Sequence, residues 1–259
     1  MLSNLTERWK KYSFLFEELV KRDFKKKYKR TILGMLWSML GPMLQLLVMA
    51  LIFTRFFGRT MQHYIIYLFA GNLVYSYFKE STNGGMQSLI ANSGIITKIN
   101  TPKYVFLLSR NVSALINFLL TLIIFFIFVA ADGVAFHPRF LTLLYPIGCL
   151  LVFNIGVGLV LSALYVFFKD IQYLYDIFTL LLMYLSAIFY TVDSFPAMVQ
   201  RLFLLNPVYA YIQYFRLVVL YESVPSLNIH LLCGFYALAV LVLGMMFYKR
   251  YDYKFLYYM

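Results

Sequence analysis

The residues able to do chemistry are few and scattered. His63, His137 and His230 lie far apart near the ends of apolar runs, which is not the close spacing of a metal-ligating motif. No Gly-x-x-x-x-Gly-Lys-Ser/Thr segment occurs, so nucleotide phosphates cannot be cradled by that route. Asp132, Asp176 and Asp193 sit at the ends of apolar runs rather than inside them. A proton-coupled carrier would place acids within the membrane. Any transport step therefore draws its energy from outside this chain. Cys149 and Cys233 both fall within apolar runs and read as small core residues, not as a disulfide.

The elements that must position these residues are membrane helices. Of the 259 residues 62% are hydrophobic and only 13% charged, with mean hydropathy +0.75. A soluble domain is about 25% charged. The 26 Phe, 23 Tyr and 2 Trp leave no room for a disordered, nucleic-acid-binding tail. The charged residues themselves mark the spans, since a crossing needs about 20 mostly apolar residues. Uncharged stretches run 31–54, 60–78, 111–131, 140–168, 177–192 and 223–248. The fifth is short and is extended by Tyr173 to Tyr175. A seventh, 202–215, is shorter still and broken at Asn206-Pro207, where Pro removes a backbone donor. Residues 193–222 read as an exterior re-entrant pair of short helices.

Orientation follows from Lys and Arg in the flanking loops. With the N-terminus inside, 17 of the 23 fall on the cytosolic side and 5 outside, with Arg110 at the base of the third span. The expectation is an all-α integral membrane protein of six transmembrane helices, both termini cytoplasmic. The thirty residues before the first span are charged, so that span is expected to serve as the insertion signal.

Residues 1–30 form a cytosolic amphipathic helix and basic linker ahead of the 31–259 transmembrane domain. Leu5, Trp9, Tyr12, Phe16 and Leu19 recur at spacings of three and four, one face of a helix. Glu7, Lys10, Lys11, Glu17, Glu18, Lys21 and Arg22 take the other, and Lys21 to Arg30 holds seven Lys/Arg. Such a helix lies among headgroups with its apolar stripe in lipid. Trp9, Tyr12, Phe16 and Arg30 are candidates for an intake gate.

Four local patterns occur in order along the chain. A basic approach leads to Leu33-Gly34-Met35-Leu36-Trp37 and Gly41-Pro42; Ile99-Asn100-Thr101-Pro102-Lys103 follows in the long 79–104 loop. Lys169-Asp170 comes next, then Asn206-Pro207-Val208-Tyr209 with Tyr214-Phe215-Arg216. With the topology and length, these resemble the membrane subunit of type-2 ABC exporters of polysaccharides or polyol-phosphate polymers (O-antigen, capsule, teichoic acid), although that family usually has Arg-Asp where this chain has Lys169-Asp170. The resemblance implies a homodimer joined to two copies of a separate ATP-binding subunit, which alone uses ATP and Mg. This chain is expected to bind no cofactor and to be no enzyme. Its cargo would be a lipid-linked glycan polymer taken from the cytosolic leaflet.

The resemblance further implies that Asn100, Thr101 and Pro102, with Lys169 and Asp170, couple to the ATPase. Interfacial belts account for many tyrosines, but not for Tyr184 in mid-span. Sugar rings stack on aromatic faces and exchange hydrogen bonds with phenols, so Tyr173, Phe178, Tyr184, Phe189 and Tyr190 are candidates for a translocation path at the dimer seam. Asn206, Pro207, Tyr209 and Arg216 are candidates in the exterior segment, where Arg216 could meet phosphate or pair with Glu222. Asn117, Asn154 and Ser162 read as interhelical hydrogen-bond partners, and Gly148, Gly156 and Gly158 as sites of close packing. The same architecture carrying a drug, lipid or peptide is the alternative; a membrane enzyme acting on lipid-linked glycans would need a cluster of acids and histidines that the sequence lacks.

Overall fold

The computed structural model describes residues 2–28, 33–57, 62–99 and 101–258. Most of these are helical, with no strand among them, as buried backbone without water demands. In chain order the helices are α1 (Leu2–Tyr28), α2 (Trp37–Phe57), α3 (Tyr64–Gln87), α4 (Ser93–Ile96), α5 (Tyr104–Ala131), α6 (Leu144–Phe167), α7 (Ile171–Leu185), α8 (Ala197–Phe203), α9 (Pro207–Val219), α10 (Leu227–Tyr251) and α11 (Phe255–Tyr258). Segments Tyr104–Ala131, Pro138–Phe167 and Leu227–Tyr258 are each long and apolar enough to cross a membrane; α8 and α9 together also qualify, but bend by 107° at their junction.

The helix ends differ from the charge ruler at two places. It ended the second run at Phe78, whereas α3 continues to Gln87, so the 79–104 stretch opens as the end of that helix. Charge at Lys79 and Glu80 does not stop a helix, because the backbone still needs its hydrogen bonds. It also gave the fifth run as 177–192, whereas α7 ends at Leu185 and the last residues of that run form a non-helical chain. At about 1.5 Å per residue, α7 spans about 22 Å, short of the ~30 Å of a hydrocarbon layer.

The core centres on α3, which is buried along most of its length between α5 and α6, while α6 packs along α10. That last pairing needs glycine. A Cβ on Gly156 would lie 2.6 Å from the Leu241 nitrogen, and one on Gly244 would lie 2.5 Å from the Gly156 oxygen. Gly158 instead meets Gly85 of α3, with a Cβ on Gly85 3.1 Å from the Gly158 Cα. Gly148 has open space beside it, so it is not part of the crossing. Both cysteines are free, Cys233 buried and Cys149 partly so.

Of the three mid-span polar residues expected to bridge helices, Asn117 does so, donating to Glu80 Oε1 at 2.7 Å. Ser162 donates to the Leu159 carbonyl of its own helix, and Asn154 is buried with neither amide atom in hydrogen-bond geometry.

Candidate translocation face and cytosolic segments

Helix α7 divides into two faces. Tyr175 and Thr179 point inward: the Tyr175 hydroxyl meets Thr82 Oγ1, and the Tyr75 hydroxyl donates to the Thr179 carbonyl at 2.6 Å. Outward, Tyr173 (73% exposed), Ile177, Phe178, Leu181 and Tyr184 (55% exposed) form a broad uncovered face. Tyr173, Ile177 and Tyr184 follow one stripe of the 3.6-residue period. Of the five aromatics expected on a path, Tyr173 and Tyr184 thus share a stripe, while Phe178, also exposed, lies about 120–140° round the helix from them with its ring 6.3 Å from that of Tyr175. Phe189 and Tyr190 do not join that stripe, because the helix has ended. Phe189 is buried, stacked on Phe53 with ring centroids 4.6 Å apart, and the Tyr190 hydroxyl returns to the Tyr184 carbonyl at 2.8 Å.

The broken end of α7 exposes carbonyls that no helix satisfies. Side chains from α3 and α9 collect them. Tyr64 donates to Phe189 O at 2.6 Å and Tyr67 to Tyr190 O at 2.7 Å. Asn206 donates to Leu185 O at 3.2 Å and to Ser186 Oγ at 3.0 Å. Its own Oδ1 accepts from the Val208 nitrogen, so Asn206 caps α9 with Pro207 at the first helical position. The Asn-Pro pair therefore starts a helix as well as ending the preceding one.

Arg216 is fully buried and completes this latch. Its guanidinium donates to Ala187 O at 3.0 Å, Ile188 O at 3.2 Å and Tyr67 O at 3.3 Å, and lies 3.4 Å from the Tyr67 ring centroid. Ala187 itself takes φ +48°, a left-handed turn that a non-glycine residue adopts only when its surroundings hold it. The sequence expectation that Arg216 meets phosphate or pairs with Glu222 is corrected: it faces inward, and Glu222 pairs with Arg139 at 3.0 Å. Tyr209 is likewise buried, its ring 5.4 Å from that of Phe203. The histidines stand apart at this end, His63 with Asp132 at 2.6 Å and His230 with Tyr214 at 2.7 Å.

At the opposite end, α1 rests on α5. Leu19 is buried, and Leu15 and Phe16 pack onto the cluster of Leu89, Phe106 and Leu107. This part of the apolar stripe meets protein, not lipid, because α5 begins at Tyr104 and presents its own apolar face beneath it. Asp23, one turn after Leu19, is buried between Arg22 (2.8 Å) and Arg110 (3.3 Å), while Arg22 also donates to Asn92 Oδ1 at 2.7 Å. The sequence reading missed Asp23; its signal is a lone acid on the apolar stripe inside a basic run. Tyr12 lines a concavity of about 660 Å³ with Thr97, Thr101, Pro102, Lys103 and Asp252. Lys169 and Asp170 are exposed between α6 and α7. Arg30 and Asn100 lie outside the described residues, as does the side chain of Trp9.

A second cavity, about 380 Å³, lies between α2, α3 and α5 and is lined by Gln45, Asn72, Ser76, Glu80, Asn117 and Thr121 among others. Apart from Glu80, which lies just beyond the 60–78 run, its polar wall sits on the stretches that the charge pattern marks as spans.

A family model described as ABC-2 type transporter matches residues 15–220. The chain is similar to the O-antigen export system permease protein RfbA of Klebsiella pneumoniae, 28% identical over 93% of this chain and 95% of that protein. A protein of the same name from Myxococcus xanthus is 29% identical over 71% of this chain and 70% of its own length. The polysialic acid transport protein KpsM of Escherichia coli is 24% identical over 74% of this chain and 75% of its own.

Proposed function

This chain belongs to the ABC-2 type transporter family, and from that membership we propose that it is the permease subunit of an ATP-driven exporter of a lipid-linked cell-envelope polysaccharide or polyol-phosphate polymer. It is a transport component, not an enzyme. The names of its relatives favour a glycan over a drug, lipid or peptide. In this reading α2, α3, α5, α6, α7 and α10 are six spans, the α8–α9 pair is re-entrant from the exterior, and both termini face the cytosol of a bacterial inner membrane. Two copies of the chain join two copies of an ATP-binding subunit that carries the nucleotide and Mg. The segments around Asn100-Thr101-Pro102 and Lys169-Asp170 receive its stroke.

The observation that carries this reading is the uncovered face of α7. The outer face of α10 is purely apolar at Leu231, Phe235, Leu238 and Val242, as lipid contact requires. The α7 face instead mixes apolar side chains with the phenols of Tyr173 and Tyr184, while its back is hydrogen-bonded to α3. Such a face suits a seam between two copies where a polymer slides over weak, repeated stacking contacts. The test is depletion of the protein in its host with labelled envelope glycan. Lipid-linked polymer should accumulate on the cytosolic side and fall at the surface; unchanged surface glycan, in a host with no redundant exporter, overturns the polymer reading.

A further inference from the structure

The segment that follows α10 touches both stretches assigned above to ATPase coupling, which are 68 residues apart in sequence if measured from Thr101 to Lys169. On one side Lys103, directly after Pro102, donates to the Asp252 carbonyl at 2.8 Å and to its carboxylate at 3.0 Å, with its ammonium 5.7 Å from the Phe255 ring centroid. On the other side Phe167, two residues before Lys169, packs against two rings of the same segment, Phe255 at 6.0 Å and Tyr258 at 4.9 Å, and against Tyr251 at the end of α10, 5.7 Å away. Phe255 is fully buried and also meets Tyr248 at 5.1 Å.

We infer that Asp252–Tyr258 is a strut that holds the two cytosolic segments at a fixed separation, so that a displacement imposed on one is carried to the other. Three features support this over a passive tail. The short helix Phe255–Tyr258 places its first ring under Lys103 and its last against Phe167, so one rigid turn reaches both. The Lys103 side chain is only 12% exposed although Asp252 is 48% exposed, so the ion pair is directed inward. An ion pair with one partner so wet contributes little to stability; its use lies in fixing direction. Lys103 and Asp252 are then positioning residues, acting through the loops rather than on cargo. Around the pair, Tyr12, Thr97, Thr101 and Leu256 line the same concavity as Lys103 and Asp252.

This inference rests on the coupling assignment, and the experiment separates the two. In full complexes with Cys149→Ala and Cys233→Ala, spin labels at Thr101→Cys and Lys169→Cys report the distance between the segments. The expected result is one narrow distance, with and without a non-hydrolysable ATP analogue, that broadens in Asp252→Ala and in Phe255→Ala. Export per ATP hydrolysed should fall by about two- to thirty-fold in the same variants, the range expected when a coupling network is cut. The charge swap Lys103→Asp with Asp252→Lys should restore both readouts that Asp252→Ala loses, so the test does not depend on whether Phe255→Ala folds. An unchanged distance distribution in Asp252→Ala, or normal export per ATP in that variant, overturns the strut. Cross-linking of Thr101→Cys to the ATP-binding subunit decides the assignment separately: its absence removes the coupling role of that segment, while the distance measurement still judges the strut.

Discussion

Arg216 shows how a side chain's chemistry is decided by what surrounds it. Buried, with no carboxylate at ion-pair distance among the described residues, it is neutralised by carbonyl dipoles and by the Tyr67 ring. Its planar fork reaches three carbonyls that a lysine, with one compact group of donors at its tip, could not reach together. Gly71 makes room: a Cβ there would sit 2.8 Å from the guanidinium. We expect Arg216→Met to leave the Ile188 carbonyl without a donor and Ala187 O with only the Tyr67 hydroxyl at 3.4 Å, and so to cost about 1–3 kcal/mol. The melting temperature in detergent should drop accordingly, and Arg216→Lys should recover only part of it. An unaltered melting temperature in Arg216→Met would mean that the end of α7 holds without this latch. In the sequence Arg216 is legible as a special cation near Asn206-Pro207. Its inward direction is not, because the carbonyls it binds belong to residues 67, 187 and 188, on other elements.

Among the helices, α6 is the one on which the packing depends. Gly156 and Gly158 lie only two residues apart yet serve different neighbours, α10 and α3. Without a hydrophobic drive between helices in lipid, close backbone approach is what holds such a pair. Gly156→Val places branched carbons within the α10 backbone and is expected to abolish the folded protein, read as loss of the monodisperse peak after membrane extraction. Gly148→Ala, with open space at its Cβ, should extract like the natural chain. Equal recovery of the two variants would refute the close crossing. Glycines at 148, 156 and 158 signal close packing in the sequence alone; which of them a helix actually crosses depends on where its neighbours lie. Helix α1 teaches the same lesson. Its period is plain from Leu5 to Leu19, but only α5 beneath it turns part of a lipid-facing stripe into a protein contact, with Asp23 pinned to Arg110.

For the whole molecule, the uncovered α7 face is the surface that a second copy would complete. With Ile177→Cys as a reporter in a background lacking the native cysteines, oxidation is expected to cross-link two copies in membranes. Tyr173→Ala combined with Tyr184→Ala should lower export several-fold at normal expression while leaving the Arg216 contacts in place, because neither ring is among that guanidinium's partners. Failure to cross-link, together with undiminished export, would move the path elsewhere; the polar-walled cavity between α2, α3 and α5 would be the next place to look.

The sequence by itself determined the solvent, the helical class and the family. Sixty-two per cent apolar residues, charges that punctuate the chain, and four ordered local patterns require only composition and neighbours along the backbone. It also marked Tyr173, Phe178 and Tyr184 as rings on the fifth run, since periodicity fixes where each residue points around its own helix. Tertiary structure alone decided which of those directions is covered. It ended α7 at Leu185, buried Phe189, Tyr209 and Arg216, turned the Tyr190 hydroxyl back onto the end of α7, and carried α3 on to Gln87 past two charges. The physical reason is that burial and hydrogen-bond partnership are properties of pairs of elements. A helix's own period gives an angle, and only the neighbour that arrives from elsewhere in the chain says whether that angle meets lipid, a partner or a carbonyl awaiting a donor.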